Sequence, residues 1–294
     1  MSGADQAPDP GADILDARHL GAEAVERYLR RHGLAASKRY SQNHLVDGEV
    51  LEAIVEAAAP AGRSVLEIGP GIGILSGALL SAGAARLSAV EVDRRLAGHL
   101  RERFGDDPRF VLTETDVLDA DVSNLVEPPY DLVANLPYHI TSPILHLFLG
   151  GAPRPERFVL MLQREVAERV TSPPGGMSYL SVFVQYHADV TLLRVVPASA
   201  FEPAPEVDSA VVAGRLRPRR FPEGEEDELW RLVQAGFRER RKMIHNVLIR
   251  QLPVVGRERI TAALEAAGIA LDRRPQTVSV DEWLALSAAI GPLP

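Results

Sequence analysis

The tetrapeptide Asn135-Leu136-Pro137-Tyr138, within YDLVANLPYHITS, gathers groups able to hold a planar amine. The Asn side chain offers an amide oxygen, and Pro137 has no N–H and fixes its own φ. Pro137 also biases Leu136 toward an extended conformation, which aims main-chain carbonyls outward as a second acceptor. Tyr138 adds a flat aromatic face. Acceptors beside an aromatic plate suit a ring with an exocyclic amino group, such as adenine, because stacking holds the ring while the acceptors orient the NH2. Asn135, Leu136, Pro137 and Tyr138 are therefore the candidate catalytic residues of a methyl-acceptor site. Asn and Pro are also ordinary turn residues, so the tetrapeptide by itself leaves a plain turn open.

The surrounding elements must place these groups on a ligand-binding rim. Residues 131–134 form a short apolar run of the kind that makes a buried strand, which puts the tetrapeptide at a strand's carboxyl end. Open α/β sheets bind ligands there. Residues 64–68, SVLEI, run straight into Gly69-Pro70-Gly71-Ile72-Gly73, and 74–81 continue as a helix. The glycines let the backbone approach a ligand closely, and one can take a positive φ. The spacing is G-x-G-x-G with Glu67 two residues ahead, unlike the G-x-G-x-x-G that cradles a pyrophosphate. A carboxylate there repels a diphosphate but suits the cationic amino-acid end of S-adenosylmethionine. The next strand pattern, 87–92, carries Glu91 near the roughly 20-residue separation at which an acid meets ribose hydroxyls. The third, 110–115, leads to Asp116, positioned to accept from an adenine amino group. One such acid can be a helix cap, but acids or a glycine loop at consecutive strand ends describe a cofactor cleft.

The remaining pattern gives helices over 16–32, 48–59, 164–170 and 178–187 and strands over 157–163, 190–196 and 209–216. A proline-stiffened loop at 200–205, containing Phe201, is placed to wall the substrate side or to serve only as a connection. Composition shifts at 217–224, and three helical patterns follow, at about 225–250, 257–267 and 281–290. The expected division is a disordered acidic tail over 1–17, an α/β domain over 18–218 and a helical domain over 219–294.

The chain has 294 residues, 46% of them hydrophobic, which is ordinary for a globular protein, and no cysteine. Zero Cys excludes disulfides, thiolate metal sites and a Cys nucleophile. The start, MSGADQAPDPGADILD, lacks the basic and apolar segments of a signal peptide, and a cytoplasmic protein is expected. A net charge of −8 argues against a nucleic-acid partner, but its distribution weakens the objection. Acid gathers near the start and around residue 225, whereas Lys38 and Arg39, and Arg238, Arg241 and Lys242, form basic clusters. Read as sharing one helix face, the second cluster fits phosphate contacts, and equally a solvated surface.

From KRYSQNHL onward the chain resembles the ribosomal RNA adenine dimethylases, most closely the small-subunit rRNA dimethyladenosine transferases. The likeness rests on KRYSQNHL, EIGPGIG, the Glu91 and Asp116 strand ends, NLPYHITSPIL, SAFEPAPEVDSAVV and FRERRKMIHNVL. It implies a Rossmann-like class I methyltransferase domain, a seven-stranded, mostly parallel α/β sheet, with a small all-α C-terminal domain. It implies S-adenosylmethionine as donor and two adjacent adenines near the 3′ end of 16S rRNA as substrate, each dimethylated at N6 within an immature small subunit. A monomer needing neither metal nor membrane is expected. Matched by motif, Asn43, Leu45, Glu67, Gly69, Gly71, Glu91, Asp116 and Asn135 are cofactor contacts. RNA contacts are expected at Lys38, Arg39, Phe201, Arg238, Arg241 and Lys242. Family members often have Gly, Phe and Asn where this chain has Ser41, His44 and His139. The 23S rRNA adenine methylases share the N-terminal motifs and are the competing enzyme; a ribosome-assembly factor acting by binding is the competing non-catalytic role. Leu136 argues against the DNA adenine and protein glutamine methylases, which carry Asn-Pro-Pro-Tyr.

Overall fold

The computed structural model describes residues 19–34, 42–221 and 226–293. The tail expected over 1–17 and the residues Lys38, Arg39 and Ser41 lie outside the described residues. The chain alternates α1 (Ala22–Arg31), β1 (His44–Leu45), α2 (Gly48–Ala58), β2 (Ser64–Ile68), α3 (Ile74–Ser81), β3 (Arg86–Glu91), α4 (Arg94–Phe104), β4 (Phe110–Glu114), β5 (Asp131–Asn135), α5 (Thr141–Leu145) and β6 (Arg157–Gln163). It continues through α6 (Arg164–Val170), α7 (Tyr179–His187), β7 (Ala188–Val196), β8 (Phe201–Glu202) and β9 (Ser209–Leu216). Helices α8 (Asp227–Phe237), α9 (Ile244–Gln251), α10 (Arg257–Ala266) and α11 (Val280–Ile290) complete it.

Seven strands form one mostly parallel sheet in the order β4-β3-β2-β5-β6-β9-β7. β2 pairs in parallel with β3 on one side and with β5 on the other, and β3–β4 and β5–β6 are also parallel. The chain therefore runs outward from β2 to β4 and then returns to the opposite flank of β2 at β5. That reversal opens a crevice beyond the carboxyl ends of β2 and β5. The sequence dictates the arrangement locally. β2 and β5 are near-continuous apolar runs, buried apart from one end residue each, as strands covered on both faces must be. Asp47 and Asp93 cap the helices that follow their loops, accepting from Val50 N–H at 3.1 Å and Arg95 N–H at 3.0 Å.

Two compact units divide the chain. One comprises Met1–Arg164 and Leu192–Gly214, with a core of fully buried residues that includes Leu79, Leu87, Leu100 and Val133. The other comprises Glu165–Thr191 and Arg215–Pro294. The division thus differs from the 218/219 boundary expected from composition, because nearly all of α6 and all of α7 group with the C-terminal helices. Met177, Val182 and Tyr186 share one apolar core with Leu229, Leu232 and Trp283, and Gly175 and Met177 both donate backbone N–H groups to the Gln276 carbonyl. Composition at 217–224 carries no trace of that earlier segment.

The helix expected over about 225–250 is two helices. Arg238 and Arg241 lie in the turn between α8 and α9, and Lys242 in the bend that follows, so these three cations do not share a helix face. The physical reason is an absence of anchors: residues 238–243 bury no side chain, whereas both flanks do. A continuous helix of that length would run about 39 Å and string the two apolar clusters along a line. Breaking it lets Leu229, Leu232 and Val233 of α8 and Ile244 and Leu248 of α9 face one core.

Candidate active site

Beyond β2 and β5 the first unit contains a cleft of about 270 Å³. Glu67, Gly69, Gly71, Glu91 and Asp116 border it, and so do Asn135, Leu136, Pro137 and Tyr138 from the β5 end. Asn43, Leu45 and Phe201 complete the sequence-derived residues brought together here.

The glycine loop uses its freedom at every glycine. Gly69, Gly71 and Gly73 have φ of 67°, 62° and 84°, conformations costly for any residue with a Cβ. Space matters too. A Cβ on Gly69 would sit 3.9 Å from the Pro137 ring and one on Gly71 3.6 Å from His44 Nδ1, so added atoms would project toward the opposing walls of the cleft.

Three carboxyl groups border the cleft around this loop in different surroundings. Glu67 is 1% exposed and accepts Ser76 Oγ–H at 2.6 Å. Burial pushes its carboxyl up to about 8, against the stabilising Ser76 hydrogen bond and with help from the Glu91 charge. Such a group is poised to meet a cation. Glu91 is buried at the end of β3 and accepts the Gly71 N–H at 3.2 Å and the Asp93 N–H at 2.9 Å. Burial raises it as well, partly offset by those backbone donors. Asp116 is exposed at the far wall, its Oδ1 accepting the Leu118 N–H at 3.0 Å.

Across the cleft, β5 delivers Asn135 half-buried at its tip. Leu136 N–H donates to the Met161 carbonyl at 3.1 Å, and the Pro137 carbonyl accepts Ile140 N–H at 3.2 Å, closing a 3-10 turn over Tyr138–Ile140. Because the Pro137 carbonyl is engaged in that turn, the Leu136 carbonyl is the better second acceptor beside the Asn135 amide. Tyr138 is half-buried, and its hydroxyl meets Ser209 Oγ at 2.7 Å. Phe201, read from the sequence as an RNA contact, is 2% exposed and belongs to the wall of the cleft. His139 is exposed at the rim.

Sequence reasoning missed the fastening of this wall. β1 pairs antiparallel with β8, setting His44 opposite Glu202 and Leu45 opposite Phe201. A two-residue strand has no periodicity to reveal it. His44, where the resembling family often has Phe, is buried beside Gly71, and burial pushes its imidazole down to about 4. It therefore enters the wall as a flat neutral ring at physiological pH. Arg238, Arg241 and Lys242 lie in the other unit, exposed in the α8–α9 connection.

A parallel sheet with this strand order, a glycine loop after its first long strand and acids at the next strand ends define a class I methyltransferase fold. Residues 33–290 match the family Ribosomal RNA adenine dimethylase. The chain belongs to that family. The ribosomal RNA small subunit methyltransferase A of Acaryochloris marina is 43% identical over 267 residues, which cover 87% of this chain and 97% of that protein. Its namesake from Geobacter metallireducens is 40% identical over 271 residues, covering 89% and 98%. Among solved structures, the 23S rRNA methyltransferase ErmE superposes with a TM-score of 0.67 at 31% identity, over 84% of this chain and 99% of that one. A dimethyladenosine transferase from Plasmodium falciparum superposes with a TM-score of 0.69 at 24% identity, over 83% and 95%, a likeness of fold.

Proposed function

We propose that this chain transfers methyl groups from S-adenosylmethionine to N6 of two adjacent adenines near the 3′ end of 16S rRNA, within an immature small ribosomal subunit in the cytoplasm. The observation that carries the reading is the meeting of the two strand ends at one cleft. The glycine loop with its buried Glu67 borders the same cleft as Asn135, Leu136 and Tyr138, at the carboxyl ends of paired strands β2 and β5. The chemistry of the cleft fits the donor, since a buried carboxyl pushed up to about 8 favours a cationic neighbour and the glycine loop leaves room that a Cβ would take.

In this reading Glu67, Asn43, Gly69 and Gly71 hold the amino-acid end of the donor, Glu91 the ribose and Asp116 the adenine amino group, with Leu45 as apolar wall. Bound there, the donor supplies an electrophilic methyl group on a sulfonium whose leaving group is neutral. The protein's share is positioning and electrostatics, with no covalent enzyme intermediate. The target N6 lone pair is delocalised into its ring. The Asn135 amide oxygen and the Leu136 carbonyl accept its two N–H groups in the first transfer, and one of them accepts the single N–H left for the second, which favours a pyramidal, more nucleophilic nitrogen; each methylated nitrogen then sheds its proton to solvent. Tyr138 supplies aromatic surface for the base. Lys38, Arg39 and the exposed Arg238, Arg241 and Lys242 supply phosphate contacts, and the chain acts as a monomer.

The competing substrate is 23S rRNA, the substrate of the 31% identical ErmE. The higher identity, 43%, to a small-subunit methyltransferase over almost its whole length favours the small subunit. Expression in bacteria lacking the small-subunit dimethylase tests the reading. Recovery of N6,N6-dimethyladenosine in 16S rRNA supports it, and modification of 23S rRNA alone overturns it. An Asn135→Ala variant that restores subunit maturation without the modification would move the function to binding.

A further inference from the structure

The Tyr138 hydroxyl is held by a buried partner. It meets Ser209 Oγ at 2.7 Å, and Ser209, the first residue of β9, is fully buried. The preceding residue fixes that serine in place. The Asp208 carbonyl accepts Arg164 N–H at 2.9 Å, and its carboxylate accepts Ala198 N–H at 3.1 Å. At the other end of the side chain, the Tyr138 backbone begins the 3-10 turn closed by Ile140 N–H on the Pro137 carbonyl. The ring is thus held at both ends, its Cα by the turn and its hydroxyl by a strand 71 residues downstream.

A phenol oxygen lies on the axis about which its ring flips. A hydrogen bond to it therefore leaves rotation about that axis to the neighbouring side chains but fixes the direction of the axis, which is set by χ1. The hydroxyl is committed to buried Ser209, and burial raises its pKa. Only the ring remains to face the cleft.

We propose that Ser209 is a positioning residue for methyl transfer: its hydroxyl fixes the direction of the Tyr138 ring axis, and so where in the cleft the ring that supports the acceptor base lies. This rests on the assignment of Tyr138 to the acceptor site. Tilting an unanchored ring displaces the base from the Asn135 and Leu136 acceptors by a fraction of its own thickness, and small displacements at a reacting centre are costly in rate. Binding of a ribosomal subunit spreads over many contacts elsewhere, so the loss falls on kcat and not on KM.

The test is a double-mutant cycle on Ser209→Ala and Tyr138→Phe with unmodified small subunits, reading kcat and KM, together with the affinity for S-adenosylhomocysteine by calorimetry. Each single variant is expected to lose about tenfold in kcat, the double variant no more than either, with KM and cofactor-product affinity within about twofold of wild type. A wild-type kcat in Ser209→Ala, losses that multiply in the double variant, or a matching loss of cofactor-product affinity would each overturn the proposal. Tyr138→Ala separates this from the reading beneath it. Full turnover in that variant removes Tyr138 from the acceptor site, whereas lost turnover there beside an unaffected Ser209→Ala removes only the anchor.

Discussion

Ser76 and Glu67 meet beneath the glycine loop, the Ser76 hydroxyl donating to a Glu67 carboxyl group that is 1% exposed. Burial holds that carboxyl at about 8, above its ordinary 4.5. Between those two values the folded state binds a proton that the unfolded chain has released, so stability contributed by this group falls as pH rises through the window. Glu67→Gln is expected to flatten that fall, measured as Tm against pH from 5 to 8 without cofactor. In the proposed mode, binding of the donor's cationic end beside Glu67 favours the ionised carboxylate, so near pH 7 binding should release protons. Calorimetry in buffers of different ionisation enthalpy reads that release, and Glu67→Gln should abolish it.

Gly73 opens α3 with φ of 84°, and a Cβ there would come 2.5 Å from the Phe104 ring. Gly73→Ala is expected to cost about 1–2 kcal/mol in backbone strain and more from the overlap. Thermal unfolding and donor affinity should fall together, because the same turn carries the loop.

Asp131 starts β5 at the end opposite Asn135, buried and held by Arg63 and Arg157. Burial works against its charge, but the two guanidiniums outweigh it and hold the carboxyl below its ordinary value. Asp131→Ala is expected to cost about 3 kcal/mol in denaturant unfolding, the low end for orphaning such a pair because both arginines keep some access to water. The variant that folds should bind the donor as wild type does, since the network touches no wall of the cleft.

On the proposed mechanism, Asn135→Ala removes one preorganised acceptor from the target amine. A drop in kcat of about 10² or more is expected at saturating donor, with donor affinity far less affected. Steady-state kinetics on unmodified subunits checks it.

Much of this site can be read from the sequence because the chemistry sits at strand ends. β2, β5 and β6 are near-continuous apolar runs with polar or glycine punctuation, so their ends are legible within a residue and Gly69 and Asn135 fall at known places. What stays illegible depends on partners distant in the chain. The His44–Glu202 and Leu45–Phe201 pairs are too short for a period, and Ser209 in SAVV reads as one small strand residue until Tyr138 is found against it. The break between α8 and α9 is hidden because FRERRKM is good helix former throughout; only the lack of a buried anchor reveals the turn. The grouping of α7 with the C-terminal helices rests on contacts such as Tyr186 with Glu226, 40 residues away, which no local pattern encodes.

The most direct test incubates the protein with methyl-labelled S-adenosylmethionine and unmodified small or large ribosomal subunits, followed by nucleoside analysis of each rRNA. Labelled N6,N6-dimethyladenosine in 16S rRNA only is the expected result. Label confined to 23S rRNA, or none in either while the donor binds, would contradict the account.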